Sequence, residues 1–174
     1  MRVGCLFFPH FSVQVEARDN SAIPGKPIII GGFPHELKPV HDASKEAIKH
    51  GIQRGMPLRQ AYALCPRGLF LPLAEEKYNC AFTQVLSLLS RYSPTIEATA
   101  TEHAFLDVTY EPDETRFIRA VDETIERETG FHASMAIASN KFVALTASLV
   151  ASTGQALVIP EGEEKEFLQD LPVD

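Results

Sequence analysis

The residues with the clearest capacity for chemistry are basic and lie close together in one short stretch. They are Lys45, Lys49, His50, Arg54 and Arg59. Clustered lysine and arginine side chains neutralise phosphate groups, so one interpretation is a patch that faces phosphates. The alternative is an ordinary solvated helix face followed by a turn. The sequence leaves both interpretations open.

The charge of the whole chain argues against a self-sufficient nucleic-acid-binding module. The 174 residues carry a formal net charge of −7 at pH 7, whereas proteins that bind nucleic acid usually present a basic face. Hydrophobic residues make up 45% of the chain and charged residues 22%, which is typical of a globular domain. No apolar run reaches the ~18 residues of a membrane span, so we expect no membrane partner.

The cysteines favour a reducing compartment. Cys5, Cys65 and Cys80 are odd in number, widely spaced and form no CxxC pair. This pattern fits neither a disulfide framework nor a zinc site. We therefore predict three buried free thiols and a cytoplasmic protein.

Two strands and two short helices are predicted in the first half of the chain. The strands span Val3–Phe8 and Pro27–Ile30, because both runs are apolar and rich in β-branched or aromatic residues. Short helices are predicted over Ser44–His50, with Ser44 as its cap, and over Pro57–Cys65.

The second half alternates helices with strands. Apolar residues at helical spacing predict a long amphipathic helix from about Glu75 to Arg91. Short strands at Thr95–Glu97 and Ala104–Val108 predict an antiparallel hairpin. The remaining elements are a helix from Asp113 to Gly130, a strand at Ala133–Ala138, a helix at Asn140–Ala151 and a strand at Ala156–Ile159. With the first strand in front, the order is βαββαβ, an α+β ferredoxin-like arrangement with an insertion after its first strand.

Four stretches in a fixed order carry a resemblance to a known family. They are Arg18-Asp19-Asn20 with Gly25-Lys26-Pro27-Ile28, then Glu46 to Pro66, then Ala104-Phe105-Leu106-Asp107-Val108-Thr109, and finally Ala138 to Ala144. Together they resemble the palm and fingers of the Y-family DNA polymerases. The resemblance implies a palm formed by residues 1–12 and 74–174 and a fingers insertion at 13–73.

The resemblance extends to the end of the chain. Phe167-Leu168 with Leu171-Pro172-Val173 is similar to the start of the family's thumb. We therefore expect the thumb and little-finger domains, which supply most of the family's grip on DNA, to lie outside this chain. Because those domains would bind the DNA, the net negative charge of this chain is compatible with a DNA partner for the full protein.

The resemblance also implies a two-magnesium site with an incomplete set of ligands. The family clamps two magnesium ions about 3.5–4 Å apart with clustered carboxylates. Those positions fall here on Phe7, Glu102 and His103. We expect Glu102 to be the one residual catalytic and metal-ligating residue, with no cofactor, and magnesium only if that residual site functions.

Neighbouring side chains are poor substitutes for the two metal-ligating carboxylates that the resemblance predicts to be missing. Asp107 lies about 16 Å from Glu102 along a strand and on the opposite face, so it cannot share a metal with Glu102. Glu97 is predicted to face Glu102 at about 5 Å between Cβ atoms, although a structural or solvent-facing role is the commoner one. His103 beside Glu102 is either half of a weak metal site or a hydrogen-bonding neighbour.

The nucleotide-binding positions implied by the resemblance are also altered. Lys45 and Ile48 stand where the family has a tyrosine and an arginine that touch the triphosphate. Lys141 matches the family's triphosphate lysine, in the first turn of a helix whose free amides favour an anion. We predict Lys141 and Lys45 as nucleotide-binding residues, with ordinary surface lysines as the alternative. Phe11 and Ser12, at the family's steric gate, are expected to be core and loop residues.

This pattern of loss resembles the catalytically defective ImuB-type branch of the family. It implies an accessory protein of translesion synthesis and mutagenic DNA repair in the SOS response. Such a protein binds damaged DNA, engages the sliding clamp and recruits a separate error-prone polymerase.

Two rival functions remain open from the sequence. One is a weakly active error-prone Y-family polymerase built on Glu102. The other is an unrelated ferredoxin-like domain, such as a nucleotide-signalling enzyme, which would not carry the insertion between Arg18 and Pro66.

Overall fold

The computed structural model describes residues 1–23 and 25–171, which form two compact units. The first unit comprises Met1–Pro9 and Phe82–Asp174, and the second comprises His10–Ala81. The elements follow in chain order: β1 (Val3–Phe7), α1 (Phe11–Asp19), β2 (Ile28–Ile30), β3 (Asp42–Ala43), α2 (Lys45–Ile48), α3 (Leu58–Leu64), β4 (Leu69–Leu71), α4 (Glu75–Leu89), β5 (Ile96–Ala100), β6 (His103–Asp107), α5 (Glu114–Thr129), β7 (Ser134–Ala138), α6 (Lys141–Val150), β8 (Ala156–Val158) and α7 (Glu164–Gln169).

The first unit is built on a sheet in the order β5-β6-β1-β7-β8. β1 lies in the middle and pairs antiparallel with both β6 and β7, while β8 joins β7 in parallel. The order β5-β6-β1-β7 is the one expected for a βαββαβ ferredoxin-like fold. The predicted α+β class with a small insertion is therefore confirmed.

The helices of the first unit begin and end at the residues that cap them. The Asp113 side chain accepts a hydrogen bond from the Arg116 N–H, and Gly130 ends α5 in the left-handed conformation at φ 71°. The Asn140 side chain likewise caps α6 by accepting from the Val143 N–H. α6 packs on one face of the sheet, where its Ala144 and Ala147 join Cys5 and Phe105 in a buried cluster.

The second unit has its own small sheet, in the order β3-β2-β4. Its core includes Ile29, Ile52 and Leu58, all essentially inaccessible to solvent. The Ser44 side chain caps α2, as predicted, by accepting from the Ala47 N–H. A local apolar core, rather than long helices or strands, therefore stabilises this unit.

Strands β3 and β4 and helix α7 were not predicted, and other details also differ from the sequence-based expectations. Helix α1 was not predicted, because its capping residue His10 makes no side-chain cap and the first turn has no acid. Ser12 therefore lies in a helix rather than a loop, while Phe11 is buried as expected. Cys5 and Cys65 are buried, but Cys80 is exposed on α4, so the prediction of three buried thiols is wrong for that residue.

Two further expectations concern the chain as a whole. Pro172 and Val173, part of the thumb-like segment, lie outside the described residues. Across the portion of the chain that the structure covers, no helix is both long and apolar enough to cross a bilayer.

Candidate active site

The end of β1 meets the hairpin turn at the place where the sequence predicts the metal site. Phe7 pairs directly with His103 on β6 and with Ser134 on β7. One residue further on, the Phe8 N–H donates to the Glu102 carbonyl oxygen at 2.7 Å. The three positions Phe7, Glu102 and His103 are therefore neighbours.

The side chains at this place are poor ligands for magnesium. Alternation along the strands directs Phe7, His103 and Phe105 to the face that α6 covers. The His103 ring packs edge-on against the Phe105 ring, with centroids 5.5 Å apart. Magnesium requires oxygen ligands in octahedral geometry, and of the three aligned positions only Glu102 carries a carboxylate. This donor set does not fit a pair of magnesium ions.

No alternative metal site is evident in the part of the chain that is described. Within residues 1–23 and 25–171, no three histidine, cysteine, aspartate or glutamate side chains lie close enough together to hold a metal ion.

The prediction that Glu97 faces Glu102 is wrong. Glu97 lies opposite Phe105, and Ala98 lies opposite Ala104. β5 continues to Ala100, so the turn is shorter than the predicted four-residue loop and Glu102 lies within the turn itself. Cross-strand partners are set by this register, which the composition of the hairpin does not reveal.

Glu97 instead binds Lys141. The Lys141 ammonium lies 2.5 Å from Glu97 Oε2 and 5.7 Å from the centre of the Phe105 ring. Lys141 is the first residue of α6, as the sequence predicts. Phe105 thus contacts both His103 and Lys141, and places the predicted nucleotide-binding lysine on the same face of the sheet as His103.

Asp107 has a structural role at the far end of β6. It pairs with Val3, and its carboxylate accepts hydrogen bonds from the Thr109 N–H at 3.0 Å and the Thr109 hydroxyl at 2.6 Å. The side-chain bond from Thr109 lowers the pKa of Asp107 below its ordinary value. The carboxylate therefore stabilises the turn that follows β6.

The other predicted nucleotide-binding residue belongs to the second unit. Lys45 opens the short helix α2 and is exposed, and Ile48 on the same helix is 42% exposed. Both side chains are therefore accessible, and the role of Lys45 stays a prediction.

A buried carboxylate in the second unit was missed from the sequence. The Asp42 side chain is fully buried, and its Oδ1 accepts from His10 Nδ1 at 3.0 Å and from Arg54 Nη2 at 3.0 Å. Asp42 Oδ2 is buried without a hydrogen-bond partner. Burial alone raises the pKa of Asp42, but the hydrogen bond from His10 and the charge of Arg54 outweigh it and hold the pKa below its ordinary value.

This cluster changes the interpretation of the basic stretch. All five basic residues of the stretch are exposed, and Arg54 among them also binds the buried Asp42. His10 adopts a left-handed conformation at φ 52°, which is uncommon for a residue with a side chain. The sequence does not reveal a left-handed backbone at His10, and so it did not indicate that His10 pairs with Asp42.

Comparison with known proteins agrees with this architecture. Residues 6–149 match the impB/mucB/samB family. The chain is similar to DNA polymerase IV of Listeria monocytogenes serotype 4a, with 37% identity over 167 residues, or 94% of this chain and 47% of that protein. DNA polymerase IV of Clostridium perfringens SM101 is 35% identical over the same length, with 94% of this chain and 46% of that protein aligned.

Solved structures give the same result. The crystal structure of DinB from Sulfolobus solfataricus matches with a TM-score of 0.88 and 26% identity, covering 97% of this chain and 51% of that one. The insertion ternary complex of Dbh DNA polymerase matches with a TM-score of 0.90 and 25% identity, covering 100% of this chain and 53% of that one.

The chain thus spans about half the length of the relatives that it matches. The family match covers most of the chain, and the fold agrees with the solved structures of Y-family polymerases. The chain therefore belongs to the impB/mucB/samB family and has the palm and fingers fold of the Y-family DNA polymerases.

Proposed function

We propose that this chain is the palm and fingers portion of a translesion-synthesis accessory protein of the ImuB type. One observation carries the proposal: Phe7 pairs directly with His103, at the two positions where the family places carboxylates beside the residue matched by Glu102. One glutamate beside phenylalanine and histidine is too little negative charge for two divalent cations.

The alternative is a weakly active error-prone Y-family polymerase, and the comparisons favour it. The relatives aligned over 94% of this chain are named DNA polymerase IV. In this alternative Glu102 ligates a metal ion, and Lys141 and Lys45 contact the nucleotide. The two functions share a fold, and the chemistry at the end of β1 distinguishes them.

The proposal assigns partners to the full protein. DNA is bound mainly through domains outside this chain, and the sliding clamp and a separate error-prone polymerase are engaged by the whole assembly. The net charge of −7 supports this division, because an acidic module gains little from phosphate contacts.

A primer-extension assay on the full-length protein tests the proposal. With magnesium or manganese, and with a DNA polymerase IV as positive control, we expect no nucleotide incorporation. Incorporation that disappears in a Glu102→Ala variant would overturn the accessory function and establish the polymerase. A Glu76→Ala variant is the matched control, because this glutamate lies in the first turn of α4, away from the β1 end in sequence.

A further inference from the structure

Strand β8 forms one edge of the sheet of the first unit, and one of its sides is unpaired. β8 is the last strand in the order β5-β6-β1-β7-β8 and runs parallel to β7. The Gln155 carbonyl oxygen accepts from β7 at 3.3 Å, and the Ile159 N–H donates to β7 at 2.9 Å. The backbone groups of Ala156 and Val158 therefore point away from β7, because alternate residues of a parallel pair bond to the neighbouring strand.

This edge lacks the features that usually protect an exposed strand. Natural sheets protect their edges with lysine, proline, bulges or a covering loop. β8 consists of alanine, leucine and valine, and Ala156 is exposed. No described residue forms a hydrogen bond with the outward backbone groups of Ala156 or Val158. The edge is therefore open to an additional strand.

A groove lies beside this edge, between β8 and helix α5. Its volume is about 500 Å³, which is in the range of ligand-binding clefts. Residues at spacings of three and four form one stripe of the helix, and this stripe lines the groove with Thr115, Ile118, Arg119 and Asp122. Ile118 and Met135 are buried and give the groove an apolar floor.

The two charged side chains of the groove have no partner of their own. Among the described residues, none forms an ion pair or a side-chain hydrogen bond with Arg119 or Asp122. Asp122 is half-buried, and burial raises the pKa of its carboxyl above the ordinary value. The charge of Glu126 adds to this rise more than His132 reduces it. A cation placed at Asp122 would offset both unfavourable effects on the carboxylate.

The charge of the first unit also favours a basic ligand. This unit contains seven lysine and arginine residues against sixteen aspartate and glutamate residues, a net charge of −9. Residues 10–81 contain nine basic against seven acidic residues, a net charge of +2. Complementary charge steers partners together, so the unit that carries the groove attracts basic segments and repels acidic ones.

We propose that the free edge of β8 and this groove form a docking site for an extended peptide segment of a partner protein, which places a lysine or arginine at Asp122. In such strand addition, main-chain hydrogen bonds supply affinity and alternate side chains supply specificity. The added strand lies about 4.8 Å from β8 and directs every second side chain towards α5. An apolar side chain then covers Ile118 and Met135, and a basic one reaches Asp122. The site goes beyond the proposed function and does not depend on it.

Titration of the isotope-labelled chain with a defined peptide, followed by nuclear magnetic resonance, tests the site. The probe is the acetylated and amidated peptide Val-Thr-Val-Thr-Lys-Thr, in which both valines and the lysine share one face of a strand. We expect saturable shifts of the Ala156 and Val158 amides and of the Arg119 and Asp122 amides on α5. The same peptide with glutamate in place of lysine should bind at least about fivefold more weakly.

Variants of the chain separate the charge from the strand edge. Asp122→Asn should remove the preference for the lysine peptide over the glutamate peptide. The matched control is Glu128→Gln, which alters an exposed acid on the same helix outside the groove and should keep that preference. Ala156→Pro removes an N–H that points away from β7, which an edge strand tolerates, and it should abolish binding of both peptides.

A second pair of probes keeps the test decisive if Ala156→Pro lowers the melting temperature. These are two copies of the lysine peptide that are methylated on either the odd or the even backbone nitrogens. An added strand bonds to β8 along one of its edges only, so one copy should bind and the other should not.

Several results would overturn the docking site. They are absence of shifts at Ala156 and Val158, equal affinity for the lysine and glutamate peptides, and equal binding of the two methylated copies. A dimer of the unaltered chain in sedimentation that Ala156→Pro abolishes would assign the edge to a second copy instead. The primer-extension assay does not involve this groove, so the two proposals fail separately.

Discussion

The two units place their carboxylates in opposite ways. The first unit has a net charge of −9, yet Phe7 and His103, which the resemblance aligns with acids of the family, carry no carboxylate. The second unit has a net charge of +2, yet it buries Asp42 completely. The total charge of a unit therefore says little about where a carboxylate performs chemistry.

The physical reason is that a site depends on a few positions, whereas net charge sums over the surface. Many acids of the first unit lie on the exposed parts of α5 and α7, where water solvates them. Asp42 is stable inside the second unit because His10 and Arg54 compensate its desolvation.

The largest expected effect is on the stability of the second unit. Arg54→Ala leaves the buried Asp42 carboxylate with less compensation, so we expect a loss of about 2–3 kcal/mol of unfolding free energy. Chemical denaturation measures it. The control is Arg59→Ala, an exposed arginine in the same stretch, which should cost less than about 0.5 kcal/mol. Equal losses in both variants would show that Asp42 does not depend on Arg54.

The next effect concerns the acids that the resemblance predicts to be missing from the first unit. In the double variant Phe7→Asp, His103→Glu, three carboxylates would meet at the end of β1, so we expect at least about tenfold tighter manganese binding by electron paramagnetic resonance. Asp107→Asn, at the far end of β6, should change nothing in that background. Unchanged manganese affinity in the double variant would mean that more than these two side chains has been lost.

Acidic pH tests the stabilisation that the Asp42 carboxylate gives to the second unit. The pKa of Asp42 lies below its ordinary value of 3.8 in the folded chain. A carboxyl with a lowered folded pKa contributes stability above its unfolded pKa and loses it as the pH falls through the folded pKa. The stability difference between the unaltered chain and Asp42→Asn should shrink as the pH drops below 3.8. A difference that grows in acid would contradict this account of the cluster.

The smallest effect is expected at the pair that joins Lys141 to Glu97. Both side chains are about half exposed, so Lys141→Met should cost only about 0.2–1 kcal/mol, and less at high salt. The measurement is denaturation at two salt concentrations, with Lys165→Met as the control on exposed α7. A loss of several kcal/mol would mean that the contact of Lys141 with Phe105 is a main support of the sheet.

Much of the fold was accessible from local patterns. The structure confirms the predicted cap at Ser44 and the predicted helix bounds near Asp113, Gly130 and Asn140. Helix α1 was missed because burial, rather than a capping signal, stabilises it. Local chemistry therefore predicts an element only when its own residues stabilise its ends.

The sequence by itself determined the α+β class and the family, because residue identity and order carry that information, and it predicted the shortage of acids at Phe7 and His103. Only the tertiary structure decided that Glu97 binds Lys141 instead of facing Glu102, that Asp42 lies between His10 and Arg54, and that β8 lies at the edge of its sheet. Strand register, burial and left-handed backbone are set by packing between distant segments, and one-dimensional spacing does not encode which of them meet.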